Sequence, residues 1–158
     1  MKNILKSVIV FSAIFTLGVS GAGGAMAQEA QNLPLAEQNR NLVLSFYDDF
    51  FNQHQVDHAA KVVAEDYKQH NPYVADGKKP FVSYFKGFFK ENPQSRARII
   101  RSAVDGDLVW VQVHSTKNPA DRGEAVVDIF RVQNGKIVEH WDVIQEIPEE
   151  SANRNTMF

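Results

Sequence analysis

The twenty residues from Val126 to Gln145, Val-Val-Asp-Ile-Phe-Arg-Val-Gln-Asn-Gly-Lys-Ile-Val-Glu-His-Trp-Asp-Val-Ile-Gln, decide how this chain folds. Two runs rich in β-branched and aromatic residues flank Asn134-Gly135, a pair that tolerates the positive φ of a tight turn, so the stretch reads as a β-hairpin. Asp128, His140 and Asp142 sit inside its strands. Ionisable groups among Val, Ile, Phe and Trp are costly to bury, so they face water or line a functional cavity. Register decides which of them meet. A two-residue turn pairs Ile129 with His140, whereas a three-residue loop, Gln133-Asn134-Gly135, pairs Asp128 with His140; a slip of one residue exchanges the faces of one strand relative to the other. Spacing alone leaves both registers open.

Outward from the hairpin, alternating runs at 97–104 and 108–116 join 125–132 and 136–147 as strands, separated by tight turns at Asp105-Gly106 and Asn134-Gly135 and by a longer loop at 118–123. Within 108–116, Val109, Val111 and Val113 form a packing face. Trp110, Gln112 and His114 form the other face, a candidate cavity lining or an outward surface. Upstream the period is helical: Leu42, Val43, Phe46, Phe50 and Phe51 recur at three- and four-residue spacing, with Phe46 or Tyr47 as possible ligand contacts. Asp57 is placed to cap a short second helix burying Ala60, Val63 and Ala64. An extended segment from Glu65 to Pro72 follows, and Pro80 opens a third helix carrying Phe81, Tyr84, Phe85, Phe88 and Phe89. Helices first and an antiparallel sheet afterwards predict an α+β domain whose helices pack on one sheet face.

The N-terminus reads differently. Lys2 and Lys6, an apolar run from Val8 to Val19, and Ala25-Met26-Ala27 have the form of a signal peptide over 1–27. The apolar run is shorter than the roughly 20 residues of a spanning helix, so no stable membrane anchor is expected and the protein is expected to be exported, periplasmic or secreted. Residues 28–34 read as a flexible lead, 35–147 as one domain and 148–158 as a tail. The chain has no cysteine, which excludes disulfides and thiol chemistry. Its net charge of −2 becomes more negative without Lys2 and Lys6, and charges of both signs are scattered, which argues against nucleic acid.

An imidazole beside carboxylates can move protons near neutral pH, so Asp128, His140 and Asp142 outline an acid–base site. The plainer possibility is a His–Asp pair that holds strands together. His70, His114, His140 and an Asp lack metal-site spacing, and there is no P-loop, G-x-G-x-x-G or G-x-S-x-G, so no metal and no cofactor is expected.

Tyr67-Lys68-Gln69-His70-Asn71-Pro72, Asp76-Gly77, and the hairpin from Val127 to Val143 resemble SnoaL-like (polyketide cyclase-like) proteins of the nuclear-transport-factor-2-like, cystatin-like superfamily. The resemblance runs from about Leu35 to Ile147. It implies a curved antiparallel sheet wrapped around helices with a conical pocket between them, frequent homodimers, and in some members cofactor-free acid–base chemistry on carbonyl compounds. It places Asp128 where ketosteroid isomerases carry a pocket carboxylic acid, the worked case of a carboxyl kept neutral to bind an oxyanion. It also favours the three-residue turn, with 140, 142 and 144 on the pocket wall. The isomerases' base corresponds to Asn71, which cannot act as one. His70, His140 or Asp142 would then take that role, with Tyr67, Asn71, Trp110, His114, Phe130 and Ile144 contacting substrate. The expected activity is aldol condensation, cyclisation or isomerisation of a small apolar carbonyl compound through an enolate. The alternative is a noncatalytic exported binder of a hydrophobic small molecule.

Overall fold

The computed structural model describes residues 33–158; the signal sequence expected over 1–27 lies outside them. Helix α1 (Leu35–Tyr47) buries Asn39, Val43, Phe46 and Tyr47 along one face, and the chain continues into a π-helical turn, Asp48–Asn52. Phe50 and Phe51 within that turn have ring centroids 4.9 Å apart. Asn52 then bridges to the sheet: its Nδ2 donates to the Ala97 carbonyl (3.2 Å) and its Oδ1 accepts from the Ala97 N–H (2.8 Å). The second helix is shorter than expected. Helix α2 (Val56–Ala59) passes into a 3-10 turn (Ala60–Val62), and Asp57 lies in its first turn without capping it. Helix α3 (Lys78–Glu91) follows the loop after Asn71, with Pro80 in its first turn, where a missing N–H costs nothing.

Five strands form one sheet: β1 (Val63–Gln69), β2 (Arg96–Asp105), β3 (Leu108–Thr116), β4 (Glu124–Gln133) and β5 (Lys136–Glu146), in the order β1-β5-β4-β3-β2. The segment expected only to be extended is therefore a strand, parallel to β5, while every other pairing is antiparallel. The helices cover one face, onto which Val109, Val111, Val113, Val132 and Ile137 project with 2 % exposure or less. Phe50 anchors the helical side, stacking on Phe81 at 4.8 Å and meeting Phe85 edge-on at 5.3 Å. Among the described residues no helix is long and apolar enough to cross a membrane.

The hairpin takes neither anticipated register throughout. Asn134 (φ 51°) and Gly135 (φ 70°) form a two-residue turn in which Gln133 pairs with Lys136 and Val132 with Ile137. One extra residue then enters β5, a bulge that moves Glu139 opposite Arg131 and His140 opposite Phe130. The three-residue turn favoured by resemblance is thus absent, yet Asp128, Phe130, His140 and Asp142 still share the inner face, because the bulge restores what the turn alone would have reversed. Ile137 faces the core, fully buried.

On the outer face, Trp141 lies between the His70 ring (4.7 Å, nearly parallel) and the Arg131 guanidinium (5.6 Å). Glu139 accepts from His70 Nε2 and Arg131 Nε, both at 2.9 Å, and Arg131 continues to Asp107. The His70 hydrogen bond, with a further contribution from Arg131, holds the Glu139 carboxyl below its usual range. A depressed carboxyl contributes stability above its unfolded value and loses it as pH falls through the folded one. Thermal denaturation across roughly pH 3 to 5 should therefore show an acid-side loss of stability that is smaller in Glu139→Gln.

Gly123, at the end of the β3–β4 loop, combines φ 78° with a position where an added Cβ would lie 2.0 Å from the Ser115 carbonyl oxygen. Gly106 (φ 60°) opens onto empty space. Gly123→Ala should cost roughly 3 kcal/mol or more, against about 1 kcal/mol for Gly106→Ala. Paired denaturant melts would check the difference.

Candidate active site

A cavity of about 950 Å³ opens between the inner sheet face, helix α3 and the loops at one end of the sheet. Its apolar lining is Phe51, Phe81, Phe85 and Phe88 on the helical side and Val126, Phe130 and Ile144 on the sheet side. Of its polar residues, Tyr47, Tyr67, Gln69, Asn71, Asp128, His140 and Asp142 form one group of linked side chains, and Glu91, Lys117, Asp121, Arg122, Glu124 and Glu146 also line it. A smaller recess of about 320 Å³ beside Leu35, Asn39 and Asp107 brings no such set together.

The floor is built from strand alternation plus one helix. Asp128 on β4 stands directly opposite Asp142 on β5, an arrangement of like charges that is unfavourable unless compensated. His140, two residues from Asp142 on the same face, places Nε2 2.9 Å from Asp128 Oδ1. Tyr47, reaching in from α1, donates its hydroxyl to Asp128 Oδ2 at 2.7 Å. Both oxygens of Asp128 are thereby engaged, and Asp128 and His140 are 6 % and 7 % exposed. Asp142 is held on one side only: Asn71 Nδ2 donates to its Oδ2 at 2.7 Å, while Oδ1 meets no hydrogen-bond donor among the described residues. The remaining member, Gln69, bridges His140 Nδ1 (2.8 Å) and the Tyr67 hydroxyl (3.2 Å).

Burial pushes the Tyr47 and Tyr67 phenols well above their usual range, and the charge of Asp128 adds to the effect in both. Both therefore remain hydrogen-bond donors. Tyr67 accepts from Gln69, so its own O–H remains available to a ligand. One ligand atom each from Asp128, His140 and Asp142 lie within 4.8 Å of one another. A metal ion could draw on these three, but it would have to displace the contact between His140 and Asp128.

The residues singled out from the sequence divide cleanly. Asp128, His140 and Asp142 converge, and Tyr67, Asn71, Phe130 and Ile144 line the same cavity. His70 does not join them: it follows β1 on the outer side, tied to Glu139 and Trp141, because its ring falls on the sheet face opposite to His140. Trp110 and His114 likewise belong to the outer face of β3. Trp110 is 40 % exposed, and His114 contacts the Arg122 carbonyl (2.8 Å) and the ring of Phe158 (4.8 Å). The sequence carries no sign of the role of Gln69, and its spacing marks Tyr47 only as a possible ligand contact. For Tyr47 the signal was present, since a phenol on a buried helical face needs a partner for its hydroxyl.

Residues 43–140, more than half of the chain, match the SnoaL-like domain family. The protein belongs to that family. Its fold is that of a SnoaL-like protein of unknown function from Burkholderia thailandensis (TM-score 0.61, 15 % identity, 71 % of this chain and 99 % of that one). Similar too are a candidate ketosteroid isomerase from Kribbella flavida (0.58, 22 %, 78 % and 89 %) and a candidate hydroxylase, AclR, from Streptomyces galilaeus (0.60, 19 %, 72 % and 82 %). No curated protein matches the sequence.

Because a phenol that stays neutral in the fold must ionise on unfolding, Tyr47 and Tyr67 stabilise the fold below about pH 10, and the contribution falls above it. In an alkaline titration followed at 295 nm, Tyr47→Phe and Tyr67→Phe should leave the absorbance rise before unfolding unchanged, and each should shrink only the step that accompanies unfolding.

Proposed function

We propose that this SnoaL-like protein is an acid–base enzyme that acts, without a cofactor, on a small apolar carbonyl compound through an enolate. The observation that carries the reading is the unequal treatment of two facing carboxylates at the floor of an aromatic cavity. Asp128 is saturated by Tyr47 and His140, whereas Asp142 keeps one oxygen towards the ligand space. Asp142 Oδ1 takes the proton next to the carbonyl, and the C–H electron pair becomes the enolate double bond. The Tyr67 O–H, free to donate, and a proton carried by the Asp128–His140 pair stabilise the oxygen on which charge develops. Return of the proton to another carbon gives isomerisation; attack of the enolate carbon on a second carbonyl gives aldol condensation or cyclisation. Asn71, which cannot be a base, orients one. The signal-like N-terminus supports action outside the cytoplasm. Trp110 and Val143, 40 % and 71 % exposed on the outer sheet face, are where a second copy would pack in a homodimer.

A noncatalytic binder of a hydrophobic small molecule is the second reading. It is favoured by the internal satisfaction of Asp128 and His140 and by the exposed apolar rim of Tyr73, Tyr84 and Ile144 around the mouth.

Solvent-deuterium incorporation into a panel of enolisable aromatic and cyclic ketones separates the two. Exchange is expected with the wild type, and Asp142→Asn and Asp128→Asn should each lower it by about 10²- to 10⁴-fold with the fold retained by circular dichroism. Binding of several ketones without exchange of any would replace the enzyme by the binder.

A further inference from the structure

Gln69 lies at the end of β1 beside His140, and the position is not a simple outcome of strand order. The β1–β5 register slips between Val63 and Lys68; continued without the slip, it would set Gln69 beside Val143. With it, the two side chains emerge on the same face as direct neighbours, and the His70 N–H donates to the His140 carbonyl (3.0 Å), pinning the register there. The Gln69 N–H is itself held by Asp76 Oδ1 at 2.8 Å.

The orientation of the Gln69 amide follows from its other partners. Oε1 accepts from the Asn71 N–H at 3.0 Å, and Nε2 donates to the Tyr67 hydroxyl at 3.2 Å. A flipped amide would set its NH₂ against the Asn71 N–H, donor against donor. Oε1 therefore faces His140 Nδ1 at 2.8 Å, and only a protonated Nδ1 makes that contact a hydrogen bond. In a neutral imidazole with Nδ1 protonated, Nε2 is a lone pair. That lone pair faces Asp128 Oδ1 at 2.9 Å, and two acceptors at that distance need a proton between them. Among the described residues, Gln69 and Asp128 are the hydrogen-bond contacts of the His140 ring nitrogens.

We infer that Gln69 is a positioning residue: by accepting the His140 Nδ1 proton it fixes the imidazole tautomer and commits one further proton to the contact between His140 Nε2 and Asp128 Oδ1. The inference rests on the acid–base reading for its catalytic consequence, which is that the Asp128–His140 pair enters the reaction carrying a proton. The pair serves as the acid of the site, and the unprotonated oxygen of Asp142 serves as its base. Tyr67, held by the same amide, is aimed by it at the same time.

Two-bond ¹H–¹⁵N correlation spectra of the uniformly labelled protein read the tautomer directly, with the His140 signals assigned by their loss in His140→Asn. The wild type should show a protonated Nδ1. Gln69→Glu, which keeps the acceptor, should retain that signature, and Gln69→Leu should lose it. In the deuterium-exchange assay Gln69→Leu should lower kcat on the order of 100-fold with KM little changed, and Gln69→Glu should recover most of the loss. A bare Nδ1 in the wild type overturns the inference whether or not any variant folds, and so does a Gln69→Leu spectrum identical to the wild type. The expected spectra without exchange on any ketone would leave Gln69 as the tautomer-setting residue and remove the enolate chemistry instead.

Discussion

Two carboxylates facing each other across neighbouring strands repel, and much of the interior is arranged so that Asp128 and Asp142 can stand there together. Burying one charge in an apolar medium is costly, and burying two of the same sign more so. The fold meets this with donors from three separate elements: a phenol from α1, an imidazole from β5 itself, and an amide from the segment that follows β1. Each donor is delivered by a different structural device. The helix places Tyr47, the β5 bulge returns His140 to the inner face, and the tight structure after Gln69 turns Asn71 inward.

The aromatic cluster supports these contacts mechanically. Phe46 packs against Phe50, Phe81 and Phe130, joining α1, α3 and β4 through one ring. Tyr47 is therefore clamped between Phe51 and Phe130, with centroids 4.5 and 6.2 Å away, and has little freedom to leave Asp128. Phe50 and Phe51, both within the π-helical turn, each reach the cluster: both rings meet Phe46 and Phe85.

Much of the fold was legible in the sequence. The β-branched runs and Gly-containing turns located β2 to β5 to within about a residue, and the ring spacing placed α1 and α3. What misled was local geometry with a non-local cause. Neither anticipated register contained the bulge after Ile137, since the choice between turn lengths says nothing about an insertion farther along the strand. The parallel pairing of β1 has no local signature either, so Gln69 gave no sign of meeting a histidine from the far end of the chain. His70 looked like a pocket residue because it adjoins Asn71; alternation of faces at the end of β1 sends it the other way. Trp110 and His114 are ambiguous in the sequence, because the face opposite the three packed valines can either line a cavity or look outward; the helices cover the valine face and leave theirs outside.

The contacts that define the floor join residues far apart along the chain: 81 positions separate Tyr47 from Asp128, and 71 separate Gln69 from His140 and Asn71 from Asp142. The β4–β5 hairpin by itself carries Asp128, His140 and Asp142, but none of the side chains that position them, Tyr47, Gln69 and Asn71. Closing such long loops comes late in folding, because chain entropy must be overcome before the distant contacts are made. The constellation should consequently be among the last features to form in a newly made chain and among the first to be lost when β1 detaches from β5, making its chemistry a reporter of complete folding.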